Sequence, residues 1–474
     1  MSDDPDSDVR VERDSLGEIA VPADAYWGAQ TQRAVENFPI SDATFGRRFV
    51  RALGVVKKSA ARANRDLGLL DEDVADAVVA AADEVIAGDH DDQFPVDVFQ
   101  TGSGTSSNMN ANEVIANRAA ELMGSEVGDR VVHPNDHVNF GQSSNDVIPT
   151  AMHVAALEAV KNDLVPALEA LAAELDAKAE AFDGVVKTGR THLQDATPVR
   201  LGQEFGGYRT QVEKGVERCE SVAPPLAELA LGGTATGTGL NTHPEFPERA
   251  ADYIAEETGL PFREADDHFE AQAAHDAMGE AHGALRTVAG SLNKIANDLR
   301  LLASGPRNGL GEIEQPENQP GSSIMPGKIN PVVAEAVNQV HKQVVGNDAA
   351  VSAGAAGGQL DLNLYKPVVA HNFLQSASLL ANASETFAER FVAKLEANEA
   401  HCADAVERSM ALATALNPAI GYDKASEVAK TALKERKTVR EVAVEKGYLT
   451  EAEADDVLDP ERMTHRGILS ADDE

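Results

Sequence analysis

Apolar side chains recur every three or four positions through most of the middle of the chain. From Leu285 they fall at Val288, Leu292, Ile295, Leu299 and Leu302, a seam that predicts one long helix. A second seam runs Leu157, Val160, Leu164, Leu168, Leu171 and Leu175. Pro166 interrupts it and should kink the helix or mark a start, because proline removes a backbone donor. A third runs Phe205, Tyr208, Val212, Val216 and Cys219, and further helices are expected over 335–351 and 367–398. Strand signals are sparse, Val9–Val11 being one. Long helices with few short connections predict a mainly α, elongated bundle. Some are too long to be covered within one globular subunit, so the bundle is expected to be shared between identical chains.

The pattern changes along the chain, which divides it into three expected domains. Residues 1–142 mix shorter helices with polar loops, residues 143–399 carry the long-helix bundle, and residues 400–474 return to short helices and turns. The length of 474 residues agrees, at roughly 150 per domain. The final Asp472-Asp473-Glu474 is expected to fray.

Four polar segments break the helical pattern. The longest, 305–331, reads GPRNGLGEIEQPENQPGSSIMPGKINP and ends in two hydroxyls and one ammonium close together, Ser322, Ser323 and Lys328, with Asn330 beside them and Glu335 following. A stretch of that length between two strong helices is usually functional, and its glycines can expose backbone N–H groups. The second, TGSGTSSNMN at 101–110, puts Ser103 and Thr105 at a helix start, where unpaired N–H groups and hydroxyls suit an anion. The third holds His133, Asn135, Asp136 and His137, then Ser143-Ser144-Asn145 before another helix. His133 and His137 have the spacing of a helical metal pair, but Pro134 argues against a helix there, no third ligand is evident, and no metal is expected. The fourth, GRTHLQDATP at 189–198, offers Thr191 and His192 on a turn, a candidate acid or base near neutral pH. His268, His275 and His282 repeat every seven residues and read as a solvated or inter-helix edge.

Charge narrows the function. With 41 basic and 78 acidic residues the chain carries −37, which excludes a nucleic-acid binder and argues against docking on anionic lipid. Acid in such excess, with few lysines, also points to adaptation to high salt. Two cysteines cannot build a disulfide framework, the acidic start lacks a signal-peptide core, and no apolar run is long enough to cross a membrane. A soluble cytoplasmic protein is the default expectation. The polar segments are locally poor in acid, which suits a small dianionic substrate.

GSSIMPGKINP at 321–331 resembles the signature loop of the aspartase/fumarase superfamily, and the resemblance extends from VPADAYWG at 21–28 to the C-terminal domain. TGSGTSSNMN, His133 before Pro134, His192 and Gly327 are most similar to the iron-independent, class II fumarases. Val332-Val333-Ala334-Glu335, Ser106 and His137 depart from that pattern, the first of them toward aspartases. The resemblance implies three mainly helical domains, a homotetramer sharing one long-helix bundle, and active sites each built from three chains. It implies no cofactor, and reversible hydration of fumarate to (S)-malate through an aci-carboxylate intermediate. Ser322 would be the base and His192 the acid, acting directly or through a water, with Glu335 orienting it. Lys328 and Asn330 would bind the carboxylate that takes up charge. Ser103, Thr105, Ser143, Ser144, Asn145 and Thr191 would hold the substrate, and His133, Asn135 and Asp136 would form a second dicarboxylate site. Two alternatives stay open: an aspartate ammonia-lyase, and a scaffold that keeps the fold without turnover.

Overall fold

The computed structural model describes residues 9–467, so the acidic start and the terminal Asp472-Asp473-Glu474 lie outside the described residues. The chain is mostly helical, and its contacts gather it into two compact units. Among the described residues one comprises 9–166, 217–287 and 342–381, and the other comprises 167–216, 288–341 and 382–467.

In the first unit the helix Arg47–Asp66 packs on Glu72–Ala87, on Ser144–Glu158 and on Phe246–Thr258. Its buried face is Val50, Leu53, Lys57, Ala60 and Asn64, a three-four repeat in which one position is a lysine. The hairpin of strands Val9–Asp14 and Gly17–Pro22 leads into the helix Ala29–Asn37. That helix begins on the Glu113 carboxylate, which accepts from the N–H groups of Gly28, Gln30 and Thr31 and from the Thr31 hydroxyl. Four donors on one buried carboxylate satisfy the helix start, and a Cβ on Gly28 would meet that side chain at 3.0 Å. The sequence WGAQT at 27–31 is explained by this anchor.

In the second unit a hairpin, Val186–Thr191 with Gln194–Arg200, packs against the helix Glu399–Glu407. The short strand Ile313–Glu314 pairs antiparallel with Glu396–Ala397. The C-terminal helices close over Leu412, Leu416, Val428, Val439, Val442 and Leu458.

The helical seams are found where periodicity placed them. Leu285 to Leu302 is buried along the helix Asp276–Leu302, and the second seam is buried throughout. Its proline is the second residue of the helix Val165–Ala181, a start as the sequence allowed, reached through a π-helical turn at Ala159–Leu164. The helix from Lys366 ends at Arg390 instead of 398, giving way to a 3-10 turn and the strand at Glu396. His275 and His282 are buried, not solvated, and His268 lies on a separate helix, His268–Ala273. His282 is held between Asp348 at 2.9 Å and the Ser376 hydroxyl at 2.8 Å.

Candidate functional site

The Ser322 segment folds back on itself. Asn330 donates from its amide to the Gly321 carbonyl, and a Cβ on Gly321 would lie 1.9 Å from the Lys328 carbonyl, so only glycine lets the loop close. Gly327 turns the chain at φ 76°. Within this turn the Ser322 Oγ accepts from the Ile324 N–H at 3.2 Å and from the Met325 N–H at 3.0 Å. Two donors aimed at one hydroxyl oxygen favour its deprotonated form. The Lys328 ammonium is exposed, and among the described residues no carboxylate pairs with it. Glu335 opens the helix Val332–Ala355, with its carboxylate 4.0 Å from Arg300. These two line a cleft of about 490 Å³ with Gln315, Ile329 and Pro331.

His192 and Leu193 form the two-residue tip of the hairpin, at φ 57° and 60°. A tight hairpin turn of this kind normally uses Asn and Gly, because both central residues are left-handed. A histidine and a leucine in this left-handed region are strained, and both side chains are exposed. Thr191 pairs with Gln194 just below the tip. Among the described contacts His192 bonds to neither Ser322 nor Glu335 within one chain.

Behind the hairpin lies a buried charge network that sequence reasoning missed. The Glu312 carboxylate takes Arg190 at 2.6 Å and Lys187 at 3.1 Å, and Lys187 reaches Glu204 at 3.0 Å. Two cations balance two carboxylates. Glu312 lies ten residues before Ser322 in the same polar segment, so these contacts tie the hairpin to that segment, and Asn398 donates to the adjacent Gly311 carbonyl.

The remaining predicted residues gather in the first unit. The Ser103 and Thr105 hydroxyls lie 2.7 Å apart at the start of the helix Thr105–Leu122. Gly104 there has φ 78°, and a Cβ on Gly102 would strike the Leu364 carbonyl. Ser143 caps the helix Ser144–Glu158 in a reciprocal capping box with Asp146, its hydroxyl oxygen accepting from the Asn145 N–H while its own proton stays available to donate. The Ser144 hydroxyl accepts from the Asn108 amide at 3.1 Å, and the Asn145 amide donates to the Ala235 carbonyl at 2.7 Å.

His133 caps a π-helical turn, Pro134–Val138, so a helical turn does form at Pro134, with proline at the one position where its missing donor costs nothing. The His133 Nδ1 accepts from the N–H groups of Asn135 and Asp136, and the His137 Nδ1 accepts from the His133 N–H. Both δ nitrogens are therefore committed to backbone. Asn135 and Asp136 remain exposed. No group of three or more metal-ligating side chains is found among the described residues.

Beneath Ser144 and Asn145 lie three buried charges that the sequence did not single out. Lys57 donates to the Asn139 Oδ1 at 2.9 Å and the Gln142 Oε1 at 3.0 Å. Lys366 donates to the Asn145 carbonyl at 3.1 Å. Asp146 accepts from the Ser143, Gly232 and Thr234 N–H groups. Burial pushes Asp146 up to about 6 and both lysines down to about 7. One signal was available: Lys57 occupies a core position in an apolar repeat.

The lyase family profile matches residues 17–346, and the fumarase C C-terminus profile matches 412–465. The class II fumarate hydratase of Halobacterium salinarum is 85% identical over 466 residues, covering 98% of this chain and 99% of its own. That of Nitrosomonas europaea is 56% identical, covering 96% and 99%. A crystal structure of the class II fumarase of Schistosoma mansoni superposes with a TM-score of 0.93 at 41% identity, over 96% of this chain and 99% of its own. The chain belongs to the class II fumarate hydratase family of the aspartase/fumarase superfamily.

Proposed function

We propose that the chain catalyses the reversible hydration of fumarate to (S)-malate, and the Ser322 hydroxyl with its two backbone donors is the observation that carries the mechanism. In the malate-to-fumarate direction the Ser322 alkoxide takes the C3 proton. The electron pair passes into the neighbouring carboxylate, giving an aci-carboxylate whose charge Lys328 and Asn330 stabilise. As the pair returns to form the double bond, the hydroxyl leaves as water with a proton delivered from the His192 side, and Glu335 orients that group. A serine is a weak base unless its alkoxide is stabilised, and the Ile324 and Met325 N–H groups supply this. Ser103, Thr105, Ser144, Asn145 and Thr191 hold the two carboxylates. Ser143 joins them, its capping-box oxygen leaving the hydroxyl proton free to donate. His133, Asn135 and Asp136 form a second dicarboxylate site at the π-helical turn. The chemistry needs no cofactor.

The working form in this reading is a cytoplasmic homotetramer whose active sites each take residues from three chains. Its support is the exposure of apolar side chains beside the chemistry: Leu193 next to His192 is 69% exposed and Ile324 next to Ser322 is 83% exposed. Another copy of the chain would cover them and bring His192 and Glu335 into reach. No helix among the described residues is long and apolar enough to cross a membrane. The division at 142/143 and 399/400 belongs to the same reading, with the Ser143 cap and the start of the helix Glu399–Glu407 as its boundaries. Ultraviolet absorbance from the fumarate double bond, followed on malate and on aspartate in molar KCl, tests the activity and separates it from an ammonia lyase.

A further inference from the structure

Lys57 and Lys366 are both fully buried, yet among the described residues neither has a carboxylate within ion-pair distance. Their partners are neutral oxygens, and those oxygens belong to groups that touch the candidate substrate residues. Asn139 takes Lys57 on the same Oδ1 that accepts from Asn108, and Asn108 in turn donates to the Ser144 hydroxyl. Lys366 holds the Asn145 carbonyl. A buried ammonium without a counterion is costly and tends to give up its proton unless another charge is there to meet it. Asp146, on the helix that carries Ser144 and Asn145, is the carboxylate whose field reaches both lysines. With all three ionised the cluster is two cations against one anion. His275, buried with neither ring nitrogen bonded, feels Lys366 and His153, and burial lowers the pKa of both histidines.

We propose that Lys57 and Lys366 are positioning residues of the dicarboxylate site, which fix Ser144 and Asn145 from below and take up protons as the dianion binds. The proposal rests on the hydration reading. Neither lysine touches the reacting atoms; each acts through the amide, hydroxyl or carbonyl above it. Direction follows from the environment: burial disfavours the ammonium in the empty site, and a bound dianion restores it.

Calorimetric titration of the whole protein with succinate, slightly above neutral pH and in two buffers of different ionisation enthalpy, reads the coupling. The expected result is net proton uptake in the native protein, reduced in Lys57→Met and in Lys366→Met and kept in His192→Asn. In steady state the two lysine variants should raise KM for malate and fumarate at least about tenfold while kcat changes far less. Succinate binding without proton exchange in the native protein overturns the proposal even if neither lysine variant folds. So does unchanged uptake in the folded variants. Loss of the hydration reading shows separately, as a native protein that forms no fumarate from malate.

Discussion

Lys187 and Glu312 form an ion contact at 3.1 Å with 1% and 0% of their side chains exposed. The pair joins the hairpin that carries Thr191 and His192 to the segment that leads to Ser322, with Arg190 and Glu204 completing the balance. Glu312→Ala would leave two cations facing one carboxylate in a dry site. Such a change should cost about 3–5 kcal/mol of stability, read by denaturant unfolding in molar KCl. The double variant Lys187→Met with Glu312→Leu should recover part of that loss; two independent, additive losses would contradict the coupling.

Replacing Ser322 by Ala removes the proposed base but leaves the turn, whose closure depends on Gly321, Gly327 and Asn330. Turnover of malate should fall by roughly a thousandfold or more, with the oligomer unchanged by sedimentation. Near-native turnover would move the base elsewhere.

His192→Asn keeps a residue that tolerates the left-handed backbone at the hairpin tip, so its effect isolates the imidazole. The kcat should drop by roughly a hundredfold to ten-thousandfold while thermal stability stays within experimental scatter.

Lys57 also sets a pH signature in stability. Its ammonium lies at about 7 in the folded chain, below the unfolded value of 10.5, so the unfolded state binds more protons between those limits. Its burial penalty is therefore full below about 7 and vanishes as pH rises toward 10.5. Relative to Lys57→Met, the native protein should gain melting temperature across that window. A difference independent of pH would place the lysine in a different environment.

These predictions fall where sequence and structure divide. The long helices were legible because a heptad seam such as Leu285 to Leu302 needs only local spacing, and all six of its residues are buried. The π-helical turns at Pro134 and ahead of Pro166 were not, since proline excludes a donor without saying how the backbone will re-pair. The site residues stood out as polar breaks between helices. Their supports did not: Glu312 and Lys187 lie 125 positions apart, and nothing local signals that one will bury against the other. His282 does lie between helices, bonded to Asp348 and Ser376, but the seven-residue spacing did not reveal that it and His275 are buried, nor that the helix restarts at Asp276.

The charge of −37 gives one further expectation. In dilute buffer the acidic surfaces of neighbouring chains repel, and salt screens them. Melting temperature and oligomer content should both rise from dilute buffer to molar KCl. Equal values in the two would show that the acidity serves solubility alone.

The central claim is the reaction itself, and the most direct measurement is ultraviolet absorbance at the fumarate band with purified protein in molar KCl. Malate should give a steady rise that reverses when fumarate is supplied, and aspartate should give none. A rise on aspartate without one on malate, or no rise on either, would contradict the account.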